Sequence, residues 1–141
     1  MKTQHPFRLL ALLLCTLSLV LSSCGGDEEA PEPSKEELLS EKTWKVSKIS
    51  LDGADVTYHP AMATMRSVRA RYAASGVYTE SSADYVHTGT WRLLGNTLLL
   101  YPGTQDEERW EVVSLTRGAL RISATLVYAD GSSDLMELEL V

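Results

Sequence analysis

Cysteine and histidine are scarce in this chain of 141 residues, which has two cysteines and three histidines. Cys15 and Cys24 both lie near the N-terminus, so the long remainder of the chain has no thiol for a disulfide, a metal ion or catalysis. His59 and His87 are too few and too far apart to suggest a zinc site, and we interpret them as surface residues. We therefore expect no metal and no cofactor.

Basic residues are fewer than acidic ones. The chain has 13 lysines and arginines and 19 aspartates and glutamates, which gives a net charge of −6. A protein that binds nucleic acid needs an excess of positive charge on its binding face. We therefore expect no nucleic-acid partner. Four of the acids fall within residues 27–32, so the rest of the chain is only mildly acidic.

No hydrophobic run is long enough to span a bilayer, which needs about 20 residues. The longest, residues 9–21, follows a basic start and ends in small residues, as in a secretory signal peptide. Leu21-Ser22-Ser23-Cys24 at its end resembles the lipobox of bacterial lipoproteins. The resemblance implies a signal peptide over residues 1–23 and lipidation of Cys24, which would anchor the protein to a membrane.

Residues 24–33 contain glycine, proline and acids, a composition that cannot bury apolar surface and stays extended. One interpretation is a solvated tether that holds a domain clear of the membrane. The other is an address, because acids soon after the lipidated cysteine resemble the surface-export signal of Bacteroidota lipoproteins. Gly25 after the cysteine resembles an outer-membrane destination. We expect a lipid-anchored outer-membrane protein that is exposed at the cell surface.

Signals of catalysis are missing as well. No serine or threonine stands in a nucleophile-elbow context or at a useful spacing from a histidine and an acid. The acidic run at residues 106–108 lacks the pattern of a calcium loop, and we interpret it as solvated turn residues. We expect a protein that is not an enzyme.

The remaining sequence predicts one all-β domain over residues 34–141. Ser34 and Glu37 have capping-box spacing and predict a short helix over residues 35–41. From Thr43 the apolar residues alternate with polar ones, and turn residues recur about every ten positions. We predict eight strands, at residues 43–51, 67–73, 77–81, 86–93, 97–101, 107–116, 119–128 and 133–141. Strands in sequence order joined by short turns favour an antiparallel up-and-down barrel.

Two connections stand out. Residues 55–66 have no clean period and form the longest irregular segment. Asp130-Gly131 suits a two-residue hairpin, which needs positive φ at both central positions.

Alternation assigns a face to each strand residue. The residues predicted to point into the barrel are almost all apolar: Trp44, Val46, Val68, Ala70, Tyr72, Trp91, Leu93, Leu98, Leu100, Trp110, Val112, Leu120, Ile122, Ala124, Leu126, Met136, Leu138 and Leu140. Arg69 and Arg71 fall on the outward face, where we expect them to pair across strands with acids such as Glu80.

Three stretches resemble the small lipocalin-like lipoprotein domains of Bacteroidota: residues 38–44 leading into the first strand, residues 72–78 around the second hairpin, and Gly89-Thr90-Trp91 with Gly95-Asn96-Thr97-Leu98. Family members often have glycine where this chain has Glu41. The resemblance covers the whole domain and implies a lipocalin-like barrel with room for a cavity. It implies no reaction, because most of the family has no assigned function.

The candidate ligand-binding residues are aromatic, sulfur-containing or basic: Trp44, Tyr58, Met62, Arg66, Tyr72, Trp91 and Trp110. The tryptophans could either line a cavity or fill the core. Residues 55–65 could be an adaptable lid over a ligand or a loop that plugs the barrel. Arg66 is placed where it could face the mouth of the barrel.

Two functions remain open. The domain binds a small apolar or amphipathic ligand in its barrel, or the barrel is solid and its loops act on a protein or glycan partner of the cell envelope, as an interaction, accessory or inhibitor module. A cavity of a few hundred Å³ would favour the first function.

Overall fold

The computed structural model of the protein describes residues 31–141. The predicted signal peptide, Cys24 and most of the predicted tether therefore lie outside the described residues. A compact unit spans Pro33–Val141. No helix within residues 31–141 combines the length and the apolar character needed to cross a membrane.

The first element is the short helix α1, Lys35–Ser40. Both halves of the predicted capping box are present: the Ser34 hydroxyl accepts from the backbone amide of Glu37 at 3.2 Å, and the Glu37 carboxylate accepts from the amide of Ser34 at 2.7 Å. Each bond satisfies a backbone donor that would otherwise lack a partner at the helix start. Leu39 is the buried residue of α1 and joins the hydrophobic core.

Nine strands follow in the described part of the chain: β1 (Thr43–Leu51), β2 (Ala54–Asp55), β3 (Arg69–Tyr72), β4 (Val77–Ser81), β5 (Val86–Leu94), β6 (Thr97–Leu100), β7 (Glu108–Leu115), β8 (Leu120–Val127) and β9 (Ser133–Leu140). All pairings are antiparallel, and each strand from β3 to β9 pairs with the next. Because β1 pairs with both β3 and β9, these eight strands form a closed barrel. The predicted fold class is confirmed.

Strand β1 closes the barrel by changing partners along its length. Residues 43–45 pair with β3, and residues 46–51 pair with β9. The change coincides with an irregularity between Val46 and Lys48 in the pairing with β9. A bulge of this kind bends a strand and increases its twist. The bend lets β1 pair with β3 at its start and with β9 over the rest of its length.

The structure corrects the prediction for residues 55–68. Instead of an irregular segment and an early strand, the chain forms a 3-10 helix at Pro60–Met62 and the helix α2 at Ala63–Ser67, and β3 begins only at Arg69. These helices have only three and five residues, too few to show a helical repeat of apolar residues. The two-residue strand β2, which pairs with the end of β1, was also not predicted.

The predicted two-residue turn at Asp130-Gly131 is wrong. Gly131 has a positive φ of 85°, whereas Asp130 does not have a positive φ. The connection between β8 and β9 is longer because Val127 pairs with Ser133. The expected geometry occurs at Asp52-Gly53 instead, where φ is 48° and 81° and the turn joins β1 to β2.

The core follows the predicted alternation. Trp44, Val46, Leu98, Leu120 and Leu140 are among the residues with almost no exposed surface. Most of the other residues predicted to point inward are buried or partly buried in the same cluster. Arg69 and Arg71 are exposed, as predicted, but their expected pairing with Glu80 is wrong. Glu80 lies opposite Ala70, so it shares the inward face.

Candidate functional site

The helix α1 covers one end of the barrel, here called the floor end. Trp44 is fully buried there, and its indole Nε1 donates to the backbone oxygen of Leu39 at 2.9 Å. At the helix C-terminus, Arg117 in the turn between β7 and β8 forms a salt bridge of 2.9 Å with Glu41. Lys35 donates to the side chain of Asn96 in the turn between β5 and β6. These contacts close the floor end.

Four aromatic side chains, here called the aromatic layer, fill part of the interior: Tyr72, Tyr78, Trp91 and Tyr101. Tyr72 stacks on Tyr78 with ring centroids 5.3 Å apart and meets Trp91 edge-on at 5.6 Å. Tyr78 meets Tyr101 edge-on at 5.8 Å. The Trp91 indole donates to the backbone oxygen of Ala73 at 2.8 Å, which satisfies its polar atom. This part of the barrel is solid.

The 3-10 helix and α2, residues 60–67, form a lid at the other side of this layer. Beneath the lid lies a cavity of about 410 Å³, here called the calyx. Its lining comes from the lid and from β1, β4, β7 and β9: Val46, Ala61, Met62, Thr64, Met65, Val68, Glu80, Tyr85, Glu108, Trp110, Met136 and Leu138. Most of these residues are apolar, and two methionines of the lid can adjust their shape to an occupant.

The polar groups of the calyx gather on β4 and on the starts of β5 and β7. Both carboxylate oxygens of Glu80 accept hydrogen bonds from tyrosine hydroxyls, one from Tyr78 at 2.6 Å and the other from Tyr85. The Glu108 carboxylate accepts from the Trp110 indole at 3.1 Å. Glu80 is half-buried and Glu108 is exposed at the rim. Together they give an apolar cavity with an acidic side.

The tyrosines around these carboxylates stay protonated far above neutral pH. Burial is the main cause that raises the pKa of Tyr85 to about 12, and the hydrogen bond to Glu80 and the Glu80 charge add to it. Burial likewise raises the pKa of Tyr72 and that of Tyr101, and the charges of Glu80 and Glu108 contribute in both cases. Protonated hydroxyls are the form that can donate to a carboxylate.

A second depression, here called the outer groove, lies outside the barrel where α2 packs against β1. It measures about 480 Å³ and is lined by Lys45, Val46, Ser47, Thr57, Tyr58, Ala63, Arg66, Ser67, Arg69 and Val141. The Arg66 guanidinium lies 5.2 Å from the centre of the Tyr58 ring and donates to the backbone oxygen of Thr57 at 3.1 Å. The groove is larger than the calyx, but it lies outside the barrel, and most of its lining residues are polar or basic. We therefore take the calyx as the candidate site.

The structure separates the seven predicted ligand-binding residues. Met62 and Trp110 line the calyx. Trp44 lies in the core at the floor end, and Tyr72 and Trp91 belong to the aromatic layer. The remaining two, Tyr58 and Arg66, lie in the outer groove, where Tyr58 is 83% exposed.

Sequence reasoning missed Glu80, Tyr85 and Glu108 as calyx residues, whereas Met65 falls within the segment 55–65 predicted as a lid. For Glu80 a signal was available, since it has the same parity as Tyr78 on β4 and must share its face. For Tyr85 and Glu108 the signal was weak, because each stands at the edge of a strand where alternation begins.

Within residues 31–141, no three side chains of His, Cys, Asp or Glu lie close enough together to hold a metal ion. What the arrangement offers is shape, apolar surface and a few polar groups that can orient a bound molecule.

Known proteins similar to this chain include a protein family and a solved structure. A family model described as a lipocalin-like domain matches residues 41–122, more than half of the chain. A solved structure of a DUF4847 family protein from Bacteroides vulgatus is similar at 14% identity and a TM-score of 0.42, over 74% of this chain and 96% of that one. None of the curated proteins matches the chain.

Proposed function

Because the chain belongs to the lipocalin-like domain family, we propose that its barrel binds one small apolar or amphipathic molecule in the calyx, without catalysis. The protein would act as a lipoprotein anchored through Cys24 in the outer membrane and exposed at the cell surface. The family match indicates a barrel of the ligand-binding type, and eight strands leave an interior wide enough for one small ligand.

The observation that carries the proposal is the calyx itself. Its volume of about 410 Å³ falls within the range of about 300–1,000 Å³ typical of small-molecule sites. The aromatic layer bounds it through Tyr78, whose hydroxyl bonds to Glu80 in the lining. The lid supplies Met62 and Met65, which are partly buried against the core. A solid barrel that acts only through its loops does not require such a cavity.

The anchor and the location rest on the sequence of residues 1–33. A lipobox followed by an acidic stretch rich in glycine and proline would hold the barrel near the membrane, where amphipathic molecules concentrate. A partner protein of the envelope remains compatible with this arrangement, because the outer groove and the exposed loops stay accessible while the calyx is occupied.

Photolabelling in isolated cell envelopes tests the ligand proposal on the full-length protein. The probe is a medium-chain alkyl alcohol with a photoreactive diazirine, and mass spectrometry of peptides locates the labelled residues. We expect labels on calyx residues of β9, such as Met136 and Leu138. Ala61→Trp places a large side chain in the calyx lining and should reduce this labelling several-fold.

Ala129→Trp is the matched control, because Ala129 is also exposed but lies in the turn between β8 and β9, outside the calyx lining. It should leave calyx labelling unchanged. Equal labelling of β9 in wild type and Ala61→Trp, or labelling restricted to outward residues, would contradict ligand binding in the calyx and favour an interaction module.

A further inference from the structure

Two side chains of the calyx lining are carboxylic acids. They are Glu80 on β4 and Glu108 on β7. Among the described residues that line the calyx there is no lysine, arginine or histidine. The basic residues nearest in sequence to the lid, Arg66 and Arg69, line the outer groove instead. An apolar cavity with two carboxylates and no base favours an occupant that brings its own positive charge.

The existing contacts of these carboxylates leave them free to bind more. Glu80 accepts two hydrogen bonds, from Tyr78 and Tyr85, and Glu108 accepts one from Trp110. A carboxylate can accept about four. Neither glutamate belongs to any of the salt bridges within residues 31–141. Neutral donors orient the two groups but do not neutralise them.

His87 is a basic side chain close to this arrangement. It is the cross-strand neighbour of Glu80, and its ring lies 4.6 Å from that of Tyr85. It is nevertheless exposed, does not belong to the calyx lining and forms no salt bridge with Glu80. His87 therefore does not replace the missing counter-charge.

The charges of the two carboxylates also act on the surrounding tyrosines. The charges of Glu80 and Glu108 both act to raise the pKa of Tyr85, in addition to the larger effect of burial. They act in the same direction on Tyr72 and Tyr101. The two carboxylates thus act in the same direction on three tyrosines.

From this geometry, and resting on the proposed function, we infer that the ligand of the calyx is a cationic amphiphile. Its apolar body packs against Met62, Met65 and Leu138, and its ammonium or similar cationic head binds between Glu80 and Glu108. Hydrogen bonds between charged partners are stronger than neutral ones, so the head group determines which amphiphiles are retained. Fatty acids and other anionic lipids are disfavoured, because their carboxylates would meet two like charges.

Three photoreactive probes with the same medium-length alkyl chain and diazirine test this inference: an amine, an alcohol and a carboxylate. Each is applied to envelopes that contain the full-length protein, and calyx labelling is divided by labelling of outward β8 residues to correct for enrichment in the membrane. We expect the amine to label the calyx about tenfold more than the carboxylate, with the alcohol between them.

The variants Glu80→Gln and Glu108→Gln remove charge while keeping shape and the ability to accept a hydrogen bond. Each should lower the amine signal several-fold, raise the carboxylate signal, and change the alcohol signal less than the amine signal. Glu111→Gln is the matched control, because Glu111 lies on the same strand as Glu108 but on the opposite face. It should change none of the three signals.

The alcohol probe keeps the two proposals separable. If the alcohol labels the calyx but the amine has no advantage over the carboxylate, or keeps its advantage in both glutamine variants, the cationic ligand is wrong and ligand binding stands. If no probe labels the calyx of the wild type, both proposals fail. If Glu80→Gln loses the alcohol signal as well, that substitution has altered the calyx itself. The choice between a cationic and a neutral ligand then rests on Glu108→Gln, because Glu108 is exposed.

Discussion

At the scale of single residues, Gly89 leaves no room for a side chain, although it lies within the strand β5 and not in a turn. A Cβ atom built on Gly89 would lie 2.2 Å from Cε1 of Tyr101, so the tyrosine ring packs directly on the glycine backbone. Tyr101 itself has a φ of 51°, a conformation that L residues other than glycine adopt rarely. This conformation turns the ring back over β5, where it also meets Tyr78.

We predict that Gly89→Ala displaces Tyr101 and lowers the free energy of unfolding by about 1–3 kcal/mol, the usual cost of overpacking. Urea unfolding followed by tryptophan fluorescence measures the change. Gly118→Ala is the matched control, since a Cβ there meets nothing within 4 Å and the backbone needs no positive φ. Similar stabilities of the two variants would mean that Tyr101 moves aside without loss.

The position of Glu80 could be predicted from strand alternation but not from its charge. Its charge suggested an outward position opposite the arginines of β3, whereas parity with the buried Tyr78 places it inside. Alternation is a geometric property of the strand and holds whatever the side chain. Charge is only a preference, and hydroxyl donors from Tyr78 and Tyr85 override it here.

At the scale of elements, α1 is too short to be stable alone, since isolated helices need about 12–15 residues. Its cap and its packing must therefore hold it on the barrel. The cap is the reciprocal pair of Ser34 and Glu37, and the hydrogen bonds to that carboxylate lower its pKa. The packing is through Leu39, which is fully buried.

We predict that Ser34→Ala lowers the free energy of unfolding by about 1 kcal/mol, because the amide of Glu37 loses its acceptor. Ser34→Asp should restore most of the loss, since aspartate is an equally good N-cap. Thermal and urea unfolding measure both. An unchanged stability in Ser34→Ala would show that packing of Leu39 alone fixes the helix.

The strands could be predicted from sequence because a period of two persists over each of them, and β1 and β4 were placed with their observed bounds. The lid could not, because α2 has five residues and its neighbouring 3-10 helix three, too few to repeat an apolar pattern. The calyx depends on where the lid rests, so its lining was only partly predictable. Met62 was identified because a methionine in an irregular segment suggests an adaptable contact.

At the scale of the whole molecule, the barrel and its core lie within Pro33–Val141. Folding of this unit should not depend on the preceding segment.

We predict that Cys24→Ala leaves the precursor without a lipid and mislocalised, while calyx labelling by the alcohol probe persists. Membrane fractionation measures the first effect. Cys15→Ala, in the same leader, should leave localisation unchanged, and an unaltered membrane-bound fraction in Cys24→Ala would contradict the lipobox.

The change of partner along β1 also fixes an order of events. Val46 pairs with Leu140, so the contact that closes the barrel joins residues 94 positions apart in a chain of 141. β1 is synthesised before β9, so the edge of β1 that pairs with β9 stays unpaired until β9 has been made. Contacts between such distant segments make folding slow. Until then β1 presents an open edge, which is the state in which a chaperone would recognise this chain.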